Sequence, residues 1–176
     1  GVRAVWRRLG EGLWARAGLG AATAVAELLS THPVVESSGY VAGYWAVRGE
    51  LPLHMLLNHP RSGFVYCLPM LDGKRLRFAP WRFGDPLVQN RFGIPEPDLA
   101  PSSCLDPEQL DAVLLPLLAF DRRGNRLGSG AGFYDRSFAF LLERARPARP
   151  LLIGIGYAFQ EVDALPAQPW DVPLDL

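Results

Sequence analysis

The chain has 176 residues, and 18 basic against 18 acidic side chains give it a formal net charge of zero. This balance argues against nucleic acid as a partner, because proteins that neutralise phosphates carry a basic excess. The length predicts a single domain over residues 1–176, and an apolar fraction of 49% is sufficient for its core. Lys74 is the only lysine in the sequence, so a Walker-type Gly-Lys-Ser/Thr loop is excluded.

Cysteine and histidine are too sparse to predict a metal or disulfide framework. Cys67 and Cys104 are predicted to be free thiols, as in a reducing compartment. His54 and His59 lie five residues apart, which differs from the i, i+4 spacing of a helical zinc site. The sequence lacks an apolar run of about 18 residues, so we expect no membrane span and no membrane partner. These features predict a cytoplasmic protein, which we expect to be a monomer.

The first half of the chain alternates predicted helices and strands. Apolar residues at helical spacing predict helices over 3–16 and 20–31, and His32-Pro33 ends the second. A proline at the first helical position predicts a short helix over 52–58. Runs of β-branched and aromatic residues predict strands over 39–45, 64–68 and 76–78. The second of these strands is predicted to end before Pro69.

The second half predicts a long loop followed by two apolar strands and a helix. Residues 80–107 are rich in proline and glycine, which predicts a functional lid or binding segment. Residues 112–120 predict a central parallel strand buried on both faces, and residues 151–155 predict the last strand. A helix is predicted over 133–146, with one apolar face formed by Tyr134, Phe138, Leu141 and Leu142. The alternation predicts an α/β fold of three layers, with a mostly parallel central sheet and helices on both faces.

Three alternate glycines precede the predicted helix at residue 133. Gly128, Gly130 and Gly132 would expose backbone N–H groups at the positive end of a helix, which favours phosphate oxygens. The alternative is a tight connection that binds nothing. A dinucleotide fingerprint is disfavoured, because the preceding strand ends near Phe120 and no acidic residue opens a second strand about 20 residues later.

Two charged residues flank these glycines. Arg126 could pair with a phosphate in bidentate fashion. Asp135, in the first helical turn, could hold a magnesium ion that bridges phosphate oxygens. Phosphoryl transfer needs mainly positioning and charge neutralisation, so these residue types would suffice for it.

Residues 119–136 carry a more specific signature. They read AFDRRGNRLGSGAGFYDR and resemble the pattern AFD-x-x-G-x-R-L-G-x-G-x-G-x-YDR of the 5-formyltetrahydrofolate cyclo-ligase family, also called methenyltetrahydrofolate synthetase. The resemblance extends over about residues 40–175. Its further matches, in family order, are Tyr44-Trp45, Gly49-Glu50, Leu68-Pro69, Leu76-Arg77-Phe78, Phe92-Gly93-Ile94-Pro95-Glu96-Pro97, Gly154, Gln160 and Asp171-Val172-Pro173-Leu174.

The resemblance implies an enzyme that converts 5-formyltetrahydrofolate and ATP into 5,10-methenyltetrahydrofolate, ADP and phosphate, with Mg2+ as cofactor. The family's folate contacts fall on Trp45 and Glu50, and its magnesium carboxylates fall on Asp135 and Asp171. Catalytic roles are implied for Arg126 and Tyr134. The family's nucleotide loop corresponds to Arg126, Leu127, Gly128, Ser129, Gly130, Ala131, Gly132, Phe133 and Tyr134.

The implied chemistry explains the need for ATP. A formamide oxygen is a poor leaving group, and phosphorylation of that oxygen gives an iminium-like phosphate that N10 of the same folate attacks intramolecularly. A second interpretation is a non-catalytic family member that binds nucleotide or folate, and a third is another phosphotransferase or sugar-phosphate enzyme. Taken singly, Trp45 is compatible with core packing, and Glu50, Asp135 and Asp171 are compatible with ordinary turn or helix-start acids.

Overall fold

The computed structural model of the chain describes residues 21–25, 27–29, 32, 39–53 and 63–176. The predicted helix over 3–16, residues 54–58 of the predicted short helix, and the pair His54 and His59 lie outside the described residues. Residues 21–25 and 27–29 are helical (α1), which confirms that part of the prediction over 20–31. Within the described ranges, no helix is long and apolar enough to cross a membrane.

The central sheet consists of five strands, β1 (Tyr40–Ala42), β2 (Val65–Asp72), β3 (Arg75–Pro80), β6 (Ala112–Pro116) and β9 (Leu151–Ile155). They lie in the order β3-β2-β1-β6-β9. β1 pairs in parallel with β2 and β6, β6 pairs in parallel with β9, and only the β2–β3 pair is antiparallel. The prediction of a mostly parallel α/β sheet is therefore confirmed, and the last strand has the predicted bounds.

Apolar side chains of the sheet pack on both of its faces. Along β6, Ala112 and Leu114 contact one cluster, which includes Ala22 and Leu29 of α1. The alternate residues of β6 contact a second cluster on the opposite face, formed with the short helix α2 (Phe133–Ser137) and the turn after it. The described residues contain few helices, so full helical layers on both faces remain a prediction.

β2 continues through Pro69, so the prediction that this proline ends the strand is wrong. The Tyr66 carbonyl accepts the Trp81 N–H, so the backbone groups of Tyr66 point toward β3. The backbone groups of successive residues in a strand point alternately to its two neighbours. The nitrogen of Pro69 therefore faces the β1 side, beyond the last paired residue of β1, Ala42. The missing N–H therefore does not interrupt the ladder between the paired residues of β1 and β2.

Residues 80–107 are more regular than predicted. They contain a two-stranded antiparallel hairpin, β4 (Leu87–Gln89) and β5 (Pro95–Pro97), and two 3-10 turns, Pro101–Ser103 and Pro107–Gln109. The turn of the hairpin is closed by Asn90, whose side-chain oxygen accepts hydrogen bonds from the Phe92 and Ile94 N–H groups.

The predicted strand over 112–120 is divided in two. β6 ends at Pro116, and β7 (Ala119–Phe120) instead pairs with β8 (Arg126–Leu127) as a second small hairpin. This hairpin turns the chain so that the glycines after Leu127 follow a strand directly.

The predicted helix over 133–146 is also shorter than expected. α2 ends at Ser137, whose hydroxyl donates to the Phe133 carbonyl and accepts the Leu76 N–H at 2.8 Å. A 3-10 helix then covers Ala139–Glu143. Leu142, predicted on the apolar face, is exposed because this change of helical type alters the spacing of the faces.

A short segment forms backbone hydrogen bonds with the outer edge of each outer strand, β9 and β3. Beyond β9, Asp175 donates its N–H to the Leu152 carbonyl at 2.8 Å, and Leu176 accepts the Gly154 N–H at 2.9 Å. The Asp175 carboxylate also accepts the Leu152 N–H and forms an ion pair with Arg146. Beyond β3, Leu105 exchanges backbone hydrogen bonds with Phe78.

Candidate functional site

A cavity of about 1150 Å³ lies at the carboxyl ends of the parallel strands. β1 is followed along the chain by its neighbour on one side, β2, whereas β6 is followed by a neighbour on the other side, β9. Ligands of open α/β sheets bind at such a reversal of strand order. The walls come from the segment after β1, from the last part of β2, from the β4–β5 turn, from residues 126–136 and from residues 166–171.

The glycine segment forms one wall of this cavity. Every residue of the predicted nucleotide loop, 126–134, contacts the cavity. Gly130 has φ +96° and Gly132, which precedes α2, has φ +67°, so both adopt conformations that disfavour other residues. The Arg136 side chain holds the loop, because it donates to the carbonyls of Ala131 and Lys74 at 2.6 and 2.8 Å.

Arg126 and Asp135 form an ion pair inside the cavity wall. The guanidinium Nη2 lies 2.7 Å from Asp135 Oδ1, and the two side chains are only 8% and 19% exposed. Asp135 Oδ1 also accepts the Val172 N–H at 3.2 Å. The buried Nε of Arg126 has no hydrogen-bond partner among the described residues. Arg126 lines the cavity, so its positive charge would stabilise an anionic ligand bound there.

Tyr134 lies against the same arginine. Its ring stacks on Phe138, and its centroid is 6.0 Å from the Arg126 guanidinium carbon. Burial raises the pKa of Tyr134 and the charge of Glu50 adds to this, whereas Arg126 opposes it. The hydroxyl is therefore a neutral hydrogen-bond donor at physiological pH.

Asp171 is brought to the same place from the C-terminal segment. Its Oδ2 accepts the Gln168 N–H at 2.8 Å. Asp135 and Asp171 both line the main cavity and a small adjoining chamber of about 10 Å³. The described residues contain no cluster of three or more metal-ligating side chains. Two carboxylates still fit Mg2+, which commonly takes one or two carboxylates beside phosphate oxygens and water.

Glu50 closes a tight turn at the opposite wall. Its N–H donates to the Val47 carbonyl, and its Oε2 accepts the Val47 N–H, both at 3.0 Å. Arg48 and Gly49, between them, have positive φ values of 53° and 83°. Burial raises the pKa of Glu50 from 4.5 to about 7, although the Val47 N–H and Arg48 oppose this. The side chain is therefore not a solvated turn acid, and it lines the cavity.

Trp45 also lines the cavity and is not a core residue. Its ring is 38% exposed and packs edge-on against Trp81, with centroids 6.0 Å apart. The structure thus brings the predicted folate residues, the glycine loop and both predicted metal carboxylates to one cavity. Their ligands remain predictions.

The β4–β5 turn, which lies within the predicted lid or binding segment 80–107, supplies a further wall of the cavity. Glu96 Oε2 accepts the Leu71 N–H at 3.0 Å and so ties the hairpin to the end of β2. Phe92, half exposed, packs edge-on against Phe133 at 5.8 Å. The signal was present in the matched segment 92–97, but nothing in the sequence alone showed that this segment reaches the glycine loop.

The fold and the cavity define a protein of the α/β class with a candidate small-molecule site at the carboxyl edge of its sheet. Residues 8–176 match the 5-formyltetrahydrofolate cyclo-ligase family. The chain is 43% identical over 138 residues to the 5-formyltetrahydrofolate cyclo-ligase of Haemophilus influenzae, covering 76% of this chain and 72% of that protein. It is 35% identical over 150 residues to the Escherichia coli K12 enzyme of the same name, covering 83% and 80%.

A solved structure gives the same result. The 5,10-methenyltetrahydrofolate synthetase of Aquifex aeolicus superimposes with a TM-score of 0.80 at 28% identity, covering 99% of this chain and 85% of that one. The chain therefore belongs to the 5-formyltetrahydrofolate cyclo-ligase family, as the signature over 119–136 predicted.

Proposed function

We propose that this chain converts 5-formyltetrahydrofolate into 5,10-methenyltetrahydrofolate at the cavity described above, with hydrolysis of ATP to ADP and phosphate. The observation that carries the proposal is Arg126, a nearly buried cation that lines the cavity beside a glycine loop. The same cavity contains the flat Trp45 ring and the partly buried acid Glu50. An anionic nucleotide on one wall and a planar folate on the other would use both sets of groups.

The reaction consists of two transfers. The formyl oxygen attacks the γ-phosphorus of ATP, the bond from that phosphorus to the bridging oxygen breaks, and ADP leaves. N10 then attacks the formyl carbon, the carbon–oxygen bond breaks with release of phosphate, and N10 loses its proton. Activation is required because oxide is a poor leaving group, whereas phosphate is a good one.

The chain's own residues would hold and stabilise these groups. The glycine-loop N–H groups and Arg126 would bind phosphate oxygens, and charge developing on them is stabilised best by donors that are already in position. The Tyr134 hydroxyl would donate to the same region. Glu50 would accept hydrogen bonds from pterin N–H donors, and Trp45 would pack on the ring system. Asp135 and Asp171 would hold Mg2+, which when bound neutralises phosphate charge.

One assay tests the proposal. Protein, Mg-ATP and 5-formyltetrahydrofolate are mixed, and the near-ultraviolet absorbance of the methenyl product is followed with ADP release. We expect both products in equal amounts, and neither without ATP. Methenyl product formed without ATP would contradict the proposed mechanism. Binding of ATP and folate without product would instead favour the non-catalytic family member.

A further inference from the structure

Asp121 is a buried carboxylate outside the cavity. Its side chain is fully buried, and it does not line the cavity. Oδ1 accepts the N–H groups of Arg123 and Asn125 at 2.9 and 3.1 Å. Oδ2 accepts the Asn125 side-chain amide at 3.0 Å and the Leu165 N–H at 2.8 Å, and Arg123 Nη2 lies 3.2 Å away.

These hydrogen bonds join two cavity walls that are distant in sequence. Asn125 immediately precedes Arg126, so the Asp121 turn fixes the start of β8 and of the glycine loop. Leu165 immediately precedes residues 166–171, the wall that carries Asp171. A backbone hydrogen bond also joins these two parts of the chain, because the Gly124 carbonyl accepts the Leu174 N–H at 2.9 Å. We call this set of contacts around Asp121 the junction.

We propose that Asp121 is a positioning residue that sets the glycine loop and the Asp171 segment at the spacing required by the nucleotide. This inference rests on the proposed binding of ATP at that loop. Asp121 does not line the cavity, so it would act only through its hydrogen-bond partners Arg123, Asn125 and Leu165. The folate wall at Trp45 and Glu50 has no contact with this junction among the described hydrogen bonds, and it should not depend on Asp121.

A carboxylate is required at this position. Every hydrogen-bond partner of the Asp121 carboxylate is a donor, and both carboxylate oxygens accept more than one hydrogen bond. Asparagine has the same shape, but its NH2 group would face donors on one side. Asp121→Asn therefore removes hydrogen bonds to the Asn125 N–H or to the Leu165 N–H while changing almost no volume.

The test measures KM for ATP and for 5-formyltetrahydrofolate separately, in the full chain. For Asp121→Asn we expect the ATP KM to rise about tenfold, equivalent to one lost hydrogen bond to a charged group. The folate KM should stay within about twofold. Arg122→Ala is the matched control, because it is adjacent and removes only the exposed pair with Glu161, so both KM values should stay within about twofold.

Asn125→Ala covers the case in which Asp121→Asn does not fold. It deletes one donor to Asp121 and leaves the carboxylate in place, and we expect a rise in ATP KM of about threefold. An unchanged ATP KM in a folded variant, or an equal rise in both KM values, would overturn the inference. A wild-type protein that needs no ATP would overturn the proposed function itself, and the inference with it, before any variant is made.

Discussion

At the scale of single residues, Glu50 gives the clearest dependence on pH. Burial raises its pKa to about 7 in the folded chain, against 4.5 ordinarily. The folded state therefore holds more protons than the unfolded state between those values, and stability falls as the pH rises from about 4.5 to about 7. We expect Glu50→Gln to flatten this slope and to be more stable than the wild type above pH 7, by about 1–3 kcal/mol. Urea unfolding at several pH values measures the free energy of unfolding of both proteins. The same pH dependence in wild type and variant would contradict the prediction.

The same substitution separates the folate wall from the nucleotide wall. Glu50→Gln replaces an acceptor carboxylate by an amide, and we expect folate binding to weaken by about 1.5–3 kcal/mol. ATP binding should change little, because the glycine loop lies on another wall. Titration calorimetry with each ligand measures both affinities. Equal folate affinity in wild type and variant would remove Glu50 from the folate site.

Comparing Asp135→Asn with Asp171→Asn tests whether both carboxylates hold Mg2+, because the two substitutions should affect stability differently. Asp135→Asn leaves the nearly buried Arg126 without its counter-charge, so we expect the free energy of unfolding to fall by about 3 kcal/mol. Asp171 has no such partner among the described residues, and Asp171→Asn should cost about 1 kcal/mol or less, for its hydrogen bond to the Gln168 N–H.

Turnover should respond to both substitutions alike. If both carboxylates hold Mg2+, each variant should lose activity by orders of magnitude, with partial recovery at high magnesium. Denaturant unfolding and the methenyl assay measure the two effects independently. Wild-type turnover in both variants would contradict the metal assignment, and a loss confined to Asp135→Asn would identify the Arg126 ion pair as the cause.

How far the sequence predicts these residues depends on whether they are contiguous. Arg126 to Asp135 could be assigned together, because they lie in one short segment whose spacing is readable. The Arg126–Asp135 ion pair could not be predicted, since it depends on how β8 turns into α2. The raised pKa of the partly buried Glu50 was also unpredictable, because it follows from the walls that other segments build around this side chain.

At the scale of elements, two glycines of the glycine loop, Gly128 and Gly130, should tolerate a side chain to different degrees. Gly130 has φ +96°, which penalises any side chain, whereas a Cβ on Gly128 would meet only the Arg126 guanidinium, at 3.9 Å. We expect Gly130→Ala to cost about 1–3 kcal/mol of stability or of ATP affinity, and Gly128→Ala to cost less than about 1 kcal/mol. Thermal unfolding and ATP calorimetry on both variants compare them. Equal behaviour would mean that the loop conformation does not matter for the nucleotide.

Elements were predictable where local pattern and tertiary context agree. β9 has the predicted bounds because a continuous apolar run is flanked by breakers and buried on both sides. The helix after residue 133 was overestimated, since the Ser137 side chain competes for the Phe133 carbonyl and for a neighbouring strand's N–H. β2 was underestimated at Pro69, because the shortness of β1 is not visible in the local sequence.

At the scale of the whole molecule, the fold class could be predicted and the cavity could not. The alternation of apolar strands and helices is enough to indicate a mostly parallel sheet. The cavity needs the strand order as well, because its walls extend from Tyr44 to Asp171 in sequence. The family signature supplied what the physical pattern lacked, since it linked segments that only the folded chain brings together.

The hydrogen bonds made by Asp175, Leu176 and Leu105 along the two outer strands have a consequence for self-association. An unpaired strand edge can recruit the strand of another molecule, and these short segments occupy that position on β9 and β3. We expect Asp175→Ala to lower the free energy of unfolding by about 1–3 kcal/mol, and to make the protein scatter light at a lower temperature on heating. Asp163→Ala removes the same charge from an exposed position and should leave both values near wild type. Covered edges would thus let a chain with no net charge resist aggregation without the charge repulsion that protects many other proteins.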